Sequence, residues 1–289
     1  MIPAPFEYER PATLADALRA LADGGPGVRA IAGGQSLLPI MKLRLARPER
    51  LVDIGRFEEL RGVRGLPGGG LVIGALTTWS DLLLEARAMA VGALGDAIPT
   101  IGDVQVRNRG TIGGSLAHAD PAADIAAPLL ALGATVVARS VHGERTIPIA
   151  DFLVGPFTTA LAAGELVTEV RVEAPAATWP SAYVAVPHPA SGYPIAGAAV
   201  ALGRQGPAGG WEACSVALTG VGETPYRAQA VETAILEGAS PSSGATHAAD
   251  GVRVLSDSYA DRDYRSAMAV VVVRRALAAA VRRAGVTPT

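Results

Sequence analysis

Apolar residues occur along the first half of the chain in short runs that glycine, proline and charged residues interrupt. Residues 13–21 place four apolar positions at helical spacing after Thr13, which can cap the helix that this pattern predicts. Two further helices are predicted, at residues 80–90 with Ser80 as the cap and at residues 123–132. Short strands are predicted around them, at residues 28–32, 51–54, 62–66, 71–74, 135–139, 144–147 and 165–172.

The second half of the chain follows a segment without periodicity. Residues 173–180 are rich in alanine and proline and are the predicted linker. Beyond it the pattern predicts three strands of an antiparallel sheet, at residues 181–186, 195–202 and 211–220, and two helices, at residues 228–236 and 264–284. We therefore expect an α+β protein with one domain at residues 1–176 and a smaller α+β domain, an antiparallel sheet with helices, at residues 177–289.

Composition narrows the classes of protein that fit this pattern. Hydrophobic residues make up 49% of the 289 residues, which excludes wholesale disorder. The 25 basic and 27 acidic residues leave a net charge of −2, so no basic face for nucleic acid is expected. The longest apolar run, residues 125–138, is too short to span a membrane. The first residues do not resemble a signal peptide, and we expect a cytoplasmic protein.

The cysteine count limits the metal chemistry of the chain. Cys214 is the single cysteine, and the four histidines are dispersed. An iron–sulfur cluster or a cysteine-based zinc site therefore requires another chain. A metal site built from His118, Asp120 and Asp124 would need a further ligand at suitable spacing, so no metal-binding residue is predicted. The alternatives for Asp124 are a turn or helix-start role, or acceptance of hydrogen bonds from the hydroxyls of a nucleotide.

Two segments combine paired glycines with hydroxyl or amide side chains. The first glycine loop comprises Ala32, Gly33, Gly34, Gln35 and Ser36, and the second comprises Thr111, Ile112, Gly113, Gly114 and Ser115. Such turns can expose consecutive backbone N–H groups that bind an anion. Two of them suit a pyrophosphate held from two sides, although two unrelated turns would have the same sequence. The chain has neither G-x-G-x-x-G nor G-x-x-x-x-G-K, which disfavours the dinucleotide-binding folds that use them.

Both loops lie in longer segments that resemble a known family. Residues 32–54 and 106–124 resemble the FAD-binding medium subunit of molybdenum hydroxylases, the carbon monoxide dehydrogenase flavoprotein and xanthine dehydrogenase FAD-domain family. Further matching segments follow in the same order along the chain, at residues 159–161, 164–166, 188–193, 263–265, 268–269 and 275–277. The resemblance covers essentially the whole chain.

This resemblance implies a two-lobed FAD-binding domain of the vanillyl-alcohol-oxidase and p-cresol-methylhydroxylase type, with lobes near residues 1–55 and 56–176. FAD would lie between the lobes without a covalent bond, its pyrophosphate held by the two glycine loops. Asp124 would hydrogen-bond the cofactor, Leu161 would contact the flavin, and Tyr193 would lie beside the isoalloxazine ring. The family often has a lysine two or three residues after the aromatic residue at position 183, where this chain has Ala185 and Val186.

The resemblance also implies a division of labour among subunits. The chain would be an oxidoreductase subunit without catalytic acid or base residues. A large subunit would carry the molybdenum cofactor, a small subunit would carry two [2Fe–2S] clusters, and two such heterotrimers would pair. Electrons would pass from the clusters through FAD to an external acceptor. The alternatives are a stand-alone FAD oxidase or dehydrogenase of the same fold, with His188 or Cys214 as a flavin attachment point, and a flavin-free interaction module.

Overall fold

The structure is a computed structural model that describes residues 2–206 and 210–286. A three-stranded parallel sheet forms the first lobe. Its elements, in chain order, are β1 (Glu7–Glu9), α1 (Leu14–Asp23), β2 (Val28–Ile31), α2 (Leu37–Lys42) and β3 (Arg50–Asp53), and β3 lies between β1 and β2 in the sheet. The Thr13 hydroxyl accepts a hydrogen bond from the Asp16 N–H, so the cap predicted for α1 is confirmed.

A five-stranded antiparallel sheet with a layer of short helices forms the second lobe. Its elements are β4 (Val63–Gly65), β5 (Leu71–Gly74), α3 (Trp79–Leu84), α4 (Ala86–Ala90), α5 (Gly92–Ala97), α6 (Val104–Arg107), α7 (Ile112–His118), α8 (Ala126–Ala131), β6 (Thr135–Ser140), β7 (Gly143–Pro148), α9 (Ile149–Phe152), β8 (Leu153–Gly155), β9 (Thr158–Thr159) and β10 (Leu166–Val172). The strand order in this sheet is β4-β5-β10-β6-β7, while β8 and β9 pair separately.

The single helix predicted at residues 80–90 is wrong in two respects. The chain forms two helices there, because Glu85 between them has an extended conformation with ψ of 98°. The cap is Thr78 rather than Ser80. Its hydroxyl accepts a hydrogen bond from the Asp81 N–H, and the Asp81 carboxylate accepts one from the Thr78 N–H, which together make a capping box.

A four-stranded antiparallel sheet, the C-terminal sheet, follows the second lobe. Its strands, in order, are β11 (Ser181–Pro187), β12 (Pro194–Leu202), β13 (Cys214–Thr219) and β14 (Tyr226–Arg227), and the helices α10 (Gln229–Leu236), α11 (Pro241–Gly244) and α12 (Arg262–Arg283) come after them. Every residue of β12 is buried, because α12 packs on one face of the sheet and α8 of the second lobe packs on the other. Three strands predicted for this part of the chain are confirmed, although the third begins at Cys214 rather than near residue 211.

The packing of the C-terminal sheet joins it to the second lobe. Tyr183, Ala199 and Ala217 on one face belong to the same core as the second lobe, while Val200 and Val216 on the other face pack with α12. In the described part of the chain, no helix is long and apolar enough to cross a membrane. The described residues also contain no group of three or more histidine, cysteine or carboxylate side chains placed to hold a metal ion.

Candidate cofactor-binding site

The two glycine loops meet where the first lobe contacts the second. The first loop leaves the carboxyl end of β2, and the second begins α7. A Cβ atom added at Gly33 would lie 1.9 Å from the backbone oxygen of Arg109, just before the second loop. One added at Gly114 would lie 4.0 Å from the Ala32 Cβ. The lobes therefore approach each other backbone to backbone, and only glycine fits at position 33.

The first glycine loop offers unused hydrogen-bond donors. In residues 2–206 and 210–286, the backbone N–H groups of Gly33, Gly34, Gln35 and Ser36 have no protein acceptor. Gly34 has a φ of +75°, a left-handed conformation that favours glycine and lets successive N–H groups turn toward one side. Because an unpaired N–H is costly unless water or a ligand bonds it, this loop is suited to an anion such as a phosphate.

The second glycine loop is built differently from the expectation. The N–H groups of Ile112 and Gly113 bond the carbonyl oxygens of Thr77 and Ala75, at 3.2 and 2.9 Å. The Gly114 N–H bonds the Thr111 hydroxyl at 3.2 Å, which caps α7. These backbone donors hold the helix start against the end of β5. The loop therefore offers the hydroxyls of Thr111 and Ser115, and not a second row of free backbone N–H groups.

A cavity of about 350 Å³ lies beside the contact between the loops. Gly33 and Thr111 line it, together with the charged side chains of Arg61, Asp81 and Arg109. Arg61 donates a hydrogen bond to the Gly55 carbonyl at 2.7 Å, which ties the end of the first lobe to the second. The exposed Arg109 side chain has no hydrogen bond or ion pair with another described residue. Among the described residues, Arg109 is thus a cation without a partner in the cavity that Gly33 also lines.

Sequence reasoning missed Arg61 and Arg109 as candidate site residues. Arg109 directly precedes the Gly-Thr start of the second loop, and its charge next to a predicted anion site was the available signal. For Arg61 no local signal exists, because the fold brings it to the cavity from the loop after β3.

Asp124 lies buried at the boundary with the C-terminal sheet, with 8% of its surface exposed. The Tyr183 hydroxyl donates a hydrogen bond to Asp124 Oδ1 at 2.7 Å, and the Thr100 hydroxyl lies 3.5 Å from the same oxygen. Burial raises the pKa of Asp124 to about 6, although both hydroxyls act in the opposite direction. Tyr183 is a third residue, after Arg61 and Arg109, whose place at the site the sequence did not indicate.

Burial and the charges of Asp120 and Asp124 raise the pKa of the Tyr193 phenol. Its side chain remains 45% exposed. Leu161 is partly buried against the core of the second lobe, and its N–H bonds the Thr159 hydroxyl at 3.3 Å. No described contact joins Leu161 to the other predicted residues.

The remaining candidates have other surroundings. Ala185 and Val186 lie on β11, opposite Gly197 and Ala196, so this part of the strand carries two uncharged side chains. Cys214 is buried on β13, and burial raises the pKa of its thiol to about 12. This thiol stays protonated at neutral pH.

Comparisons with known proteins identify the family. The family model described as "FAD binding domain in molybdopterin dehydrogenase" matches residues 4–175. The model described as "CO dehydrogenase flavoprotein C-terminal domain" matches residues 181–280. The chain belongs to this family of FAD-binding oxidoreductase subunits, and the resemblance inferred from the sequence is confirmed.

Two relatives align with this chain along nearly their whole length. The carbon monoxide dehydrogenase medium chain of Hydrogenophaga pseudoflava is 38% identical over 285 residues, covering 97% of this chain and 98% of the relative. The alpha subunit of the 6-hydroxypseudooxynicotine dehydrogenase complex of Paenarthrobacter nicotinovorans is 38% identical, with 98% and 97% covered.

Solved structures show the same fold. Carbon monoxide dehydrogenase from Hydrogenophaga pseudoflava, which lacks the Mo-pyranopterin moiety of its molybdenum cofactor, matches with a TM-score of 0.92 and 40% identity, covering 98% of this chain and 99% of the matched chain. Quinoline 2-oxidoreductase from Pseudomonas putida 86 matches with a TM-score of 0.89 and 33% identity, covering 98% and 100%. The predicted α+β fold, an FAD-binding domain followed by a C-terminal domain, is confirmed.

Proposed function

We propose that this chain is the FAD-carrying electron-transfer subunit of a heterotrimeric molybdenum hydroxylase. The observation that carries the proposal is the first glycine loop, where four backbone N–H groups have no protein acceptor among the described residues and Gly33 lines a cavity together with Arg109, which is unpaired in the same part of the chain. When bound, FAD supplies the redox chemistry, taking up electrons from the [2Fe–2S] clusters of the small subunit and passing them to an external acceptor.

The residues present fit such a cofactor. Free N–H groups and the Arg109 cation complement a pyrophosphate, and Gly33 permits the close approach of the lobes. Asp124 has a carboxylate that can accept from cofactor hydroxyls. The proposed FAD-binding residues are Ala32, Gly33, Gly34, Gln35, Ser36, Thr111, Ile112, Gly113, Gly114, Ser115, Asp124, Leu161 and Tyr193. In the second loop, the hydroxyl groups would contact FAD and the glycines would leave space for it. FAD is held without a covalent bond.

The division into domains at residues 1–176, with lobes at 1–55 and 56–176, and at residues 177–289 belongs to the same proposal. The end of one family model at residue 175 and the start of the next at 181 support it. Residue 1 and residues 207–209 and 287–289 of these domains lie outside the described residues.

The proposed partners are a large subunit with the molybdenum cofactor and a small subunit with the [2Fe–2S] clusters. The names of the relatives support an assembly, since they are described as medium chains and as subunits of dehydrogenase complexes. We further propose that two heterotrimers pair, that the final acceptor is a separate molecule, and that the complex is cytoplasmic.

Anaerobic reduction of the flavin tests this proposal. The isolated FAD-loaded chain and the complex purified with its large and small subunits are each mixed with the organic substrate of the large subunit. We expect the visible flavin absorption to bleach rapidly in the complex only, because electrons must come from the partners. Dithionite, which reduces flavin directly, is the control for the isolated chain. Rapid bleaching of the isolated chain by substrate would contradict the proposal and favour a stand-alone oxidase.

A further inference from the structure

The C-terminal sheet holds the segment that ends at Asp124. The Thr219 hydroxyl, at the end of β13, lies 2.8 Å from the Pro121 oxygen and 3.0 Å from the Ala123 oxygen. The Gly220 N–H also donates to the Pro121 oxygen, at 2.9 Å. Together with the bond from Tyr183 on β11, two strands of the sheet therefore fix residues 121–124 of the second lobe.

Tyr183 is itself fixed at both ends. Its N–H donates to Asp96 Oδ2 at 3.0 Å, and the same carboxylate pairs with Arg283 at 2.7 Å. Its ring is 4% exposed, so the hydroxyl reaches Asp124 from inside the packed interface. The reach depends on a glycine in the next strand, because a Cβ atom added at Gly197 would lie 2.3 Å from the Tyr183 hydroxyl oxygen.

The hydrogen bonds to Asp124 are unevenly distributed over its two oxygens. Tyr183 and Thr100 both approach Oδ1. In the described part of the chain, no other residue donates a hydrogen bond to this carboxylate, although the backbone N–H of Asp124 itself also acts on it and lowers its pKa. A carboxylate has room for about four hydrogen bonds, so this arrangement orients the group and leaves one oxygen available to a ligand.

We propose that Tyr183 is a positioning residue of the cofactor site: its hydroxyl fixes Oδ1 of Asp124 and thereby presents Oδ2 to a hydroxyl of the bound FAD. Gly197 contributes to this positioning, since it provides the space for the Tyr183 hydroxyl. This inference rests on the proposed function. It assigns to the C-terminal sheet a direct part in shaping the FAD site, through one tyrosine and the glycine beside it.

The groups around Asp124 determine how its pKa should change when the Tyr183 hydroxyl is removed. The titratable group that bonds Asp124 is Tyr183 of β11, and the charges of Asp124 and Asp120 both act on the phenol of Tyr193, between β11 and β12. Among the described residues, no arginine, lysine or histidine bonds its carboxylate. Burial raises the pKa of Asp124 to about 6 and the Tyr183 bond lowers it, so removal of that hydroxyl should raise the pKa further.

The test compares FAD binding by the full chain across pH in four proteins: the unchanged chain, Tyr183→Phe, Gly197→Ala and the control Tyr226→Phe. Tyr226 is another tyrosine of the C-terminal sheet; it is partly buried, and its hydroxyl donates to the Ala248 carbonyl at 2.8 Å. We expect the affinity of the unchanged chain to fall as the pH drops through about 6, as Asp124 is protonated. In Tyr183→Phe and Gly197→Ala this midpoint should move to higher pH, and FAD should bind roughly tenfold more weakly at neutral pH. Tyr226→Phe should behave as the unchanged chain.

A second measurement does not require FAD. Titration of the Asp124 side-chain carboxyl by ¹³C NMR in the flavin-free chain should show a higher pKa in Tyr183→Phe and Gly197→Ala. Unchanged affinity and unchanged midpoints in both variants, or the same shift in Tyr226→Phe, would overturn the positioning role. Failure of the unchanged chain to bind FAD, alone and with its partner subunits, would instead overturn the proposed function together with this inference. The NMR titration distinguishes these two outcomes, since it reports the Tyr183–Asp124 hydrogen bond whether or not FAD binds.

Discussion

Asp124 is buried with two hydroxyl neighbours and without a cation among its hydrogen-bond partners in the described residues. Burial raises its pKa from 3.8 to about 6, so the folded chain binds the Asp124 proton more tightly than the unfolded chain does. Protonation of Asp124 therefore stabilises the folded state fully below the unfolded pKa, and this stabilisation is lost as the pH rises through about 6. At neutral pH, a buried carboxylate at position 124 therefore lowers the free energy of unfolding.

Replacement of Asp124 by asparagine tests this cost. Asparagine keeps the shape and can still accept from Tyr183, but it does not ionise. We expect the free energy of unfolding of the flavin-free Asp124→Asn chain, relative to the unchanged chain, to rise by about 1 kcal/mol between pH 5 and pH 8. Urea unfolding at the two pH values measures it. Asp23→Asn, at an exposed carboxylate without an ion pair among the described residues, is the control and should show a smaller rise. A pH-independent difference would contradict the raised pKa.

Individual elements were predictable where the deciding interactions are local. The hairpin of β4 and β5 follows from the Pro-Gly-Gly-Gly sequence between two apolar runs, and α1 follows from its cap and spacing. The break at Glu85 was not predictable, because residues on both sides of it favour helix. The second glycine loop shows the same limit. Its N–H groups bond Ala75 and Thr77, and only the assembled sheet brings those carbonyls to it.

The contact between the loops predicts a strong effect of a single methyl group. In Gly33→Ala, the added Cβ would lie 1.9 Å from the Arg109 backbone oxygen, so the first loop and the start of the second must separate. We expect FAD affinity to fall at least tenfold and the folded state to lose about 1–3 kcal/mol. Flavin fluorescence titration and urea unfolding measure the two effects.

Gly65→Ala is the matched control, since its Cβ would have its nearest neighbour, the Arg87 Nε, at 3.7 Å. It should bind FAD as the unchanged chain does. Full FAD affinity in Gly33→Ala would show that the loops are ordinary turns.

On the scale of the whole molecule, the sequence indicated the two glycine loops and Asp124 but not how they are connected. Tyr183 and Asp124 are 59 positions apart, and Thr219 and Pro121 are 98 apart. No periodicity or local motif reports contacts at such separations, because they arise when one face of the C-terminal sheet packs on the second lobe. The apolar sequences of β11 and β13 identify two strands, but not which side chains cross to the other lobe.

This packing predicts that a residue far from the glycine loops controls FAD binding. Thr219 is fully buried, and its hydroxyl lies within hydrogen-bond distance of the carbonyl oxygens of Pro121 and Ala123. Thr219→Val keeps the shape and leaves the Ala123 oxygen without this donor, which should cost about 1–3 kcal/mol and loosen the segment that carries Asp124. Thr168→Val is the matched control, since the Thr168 hydroxyl is also buried but bonds Val137 within the second-lobe sheet, at 3.3 Å. Both variants should unfold at lower urea concentration, whereas under native conditions FAD affinity should fall only in Thr219→Val. Equal FAD affinity in the two variants would show that the C-terminal sheet stabilises the fold without shaping the site.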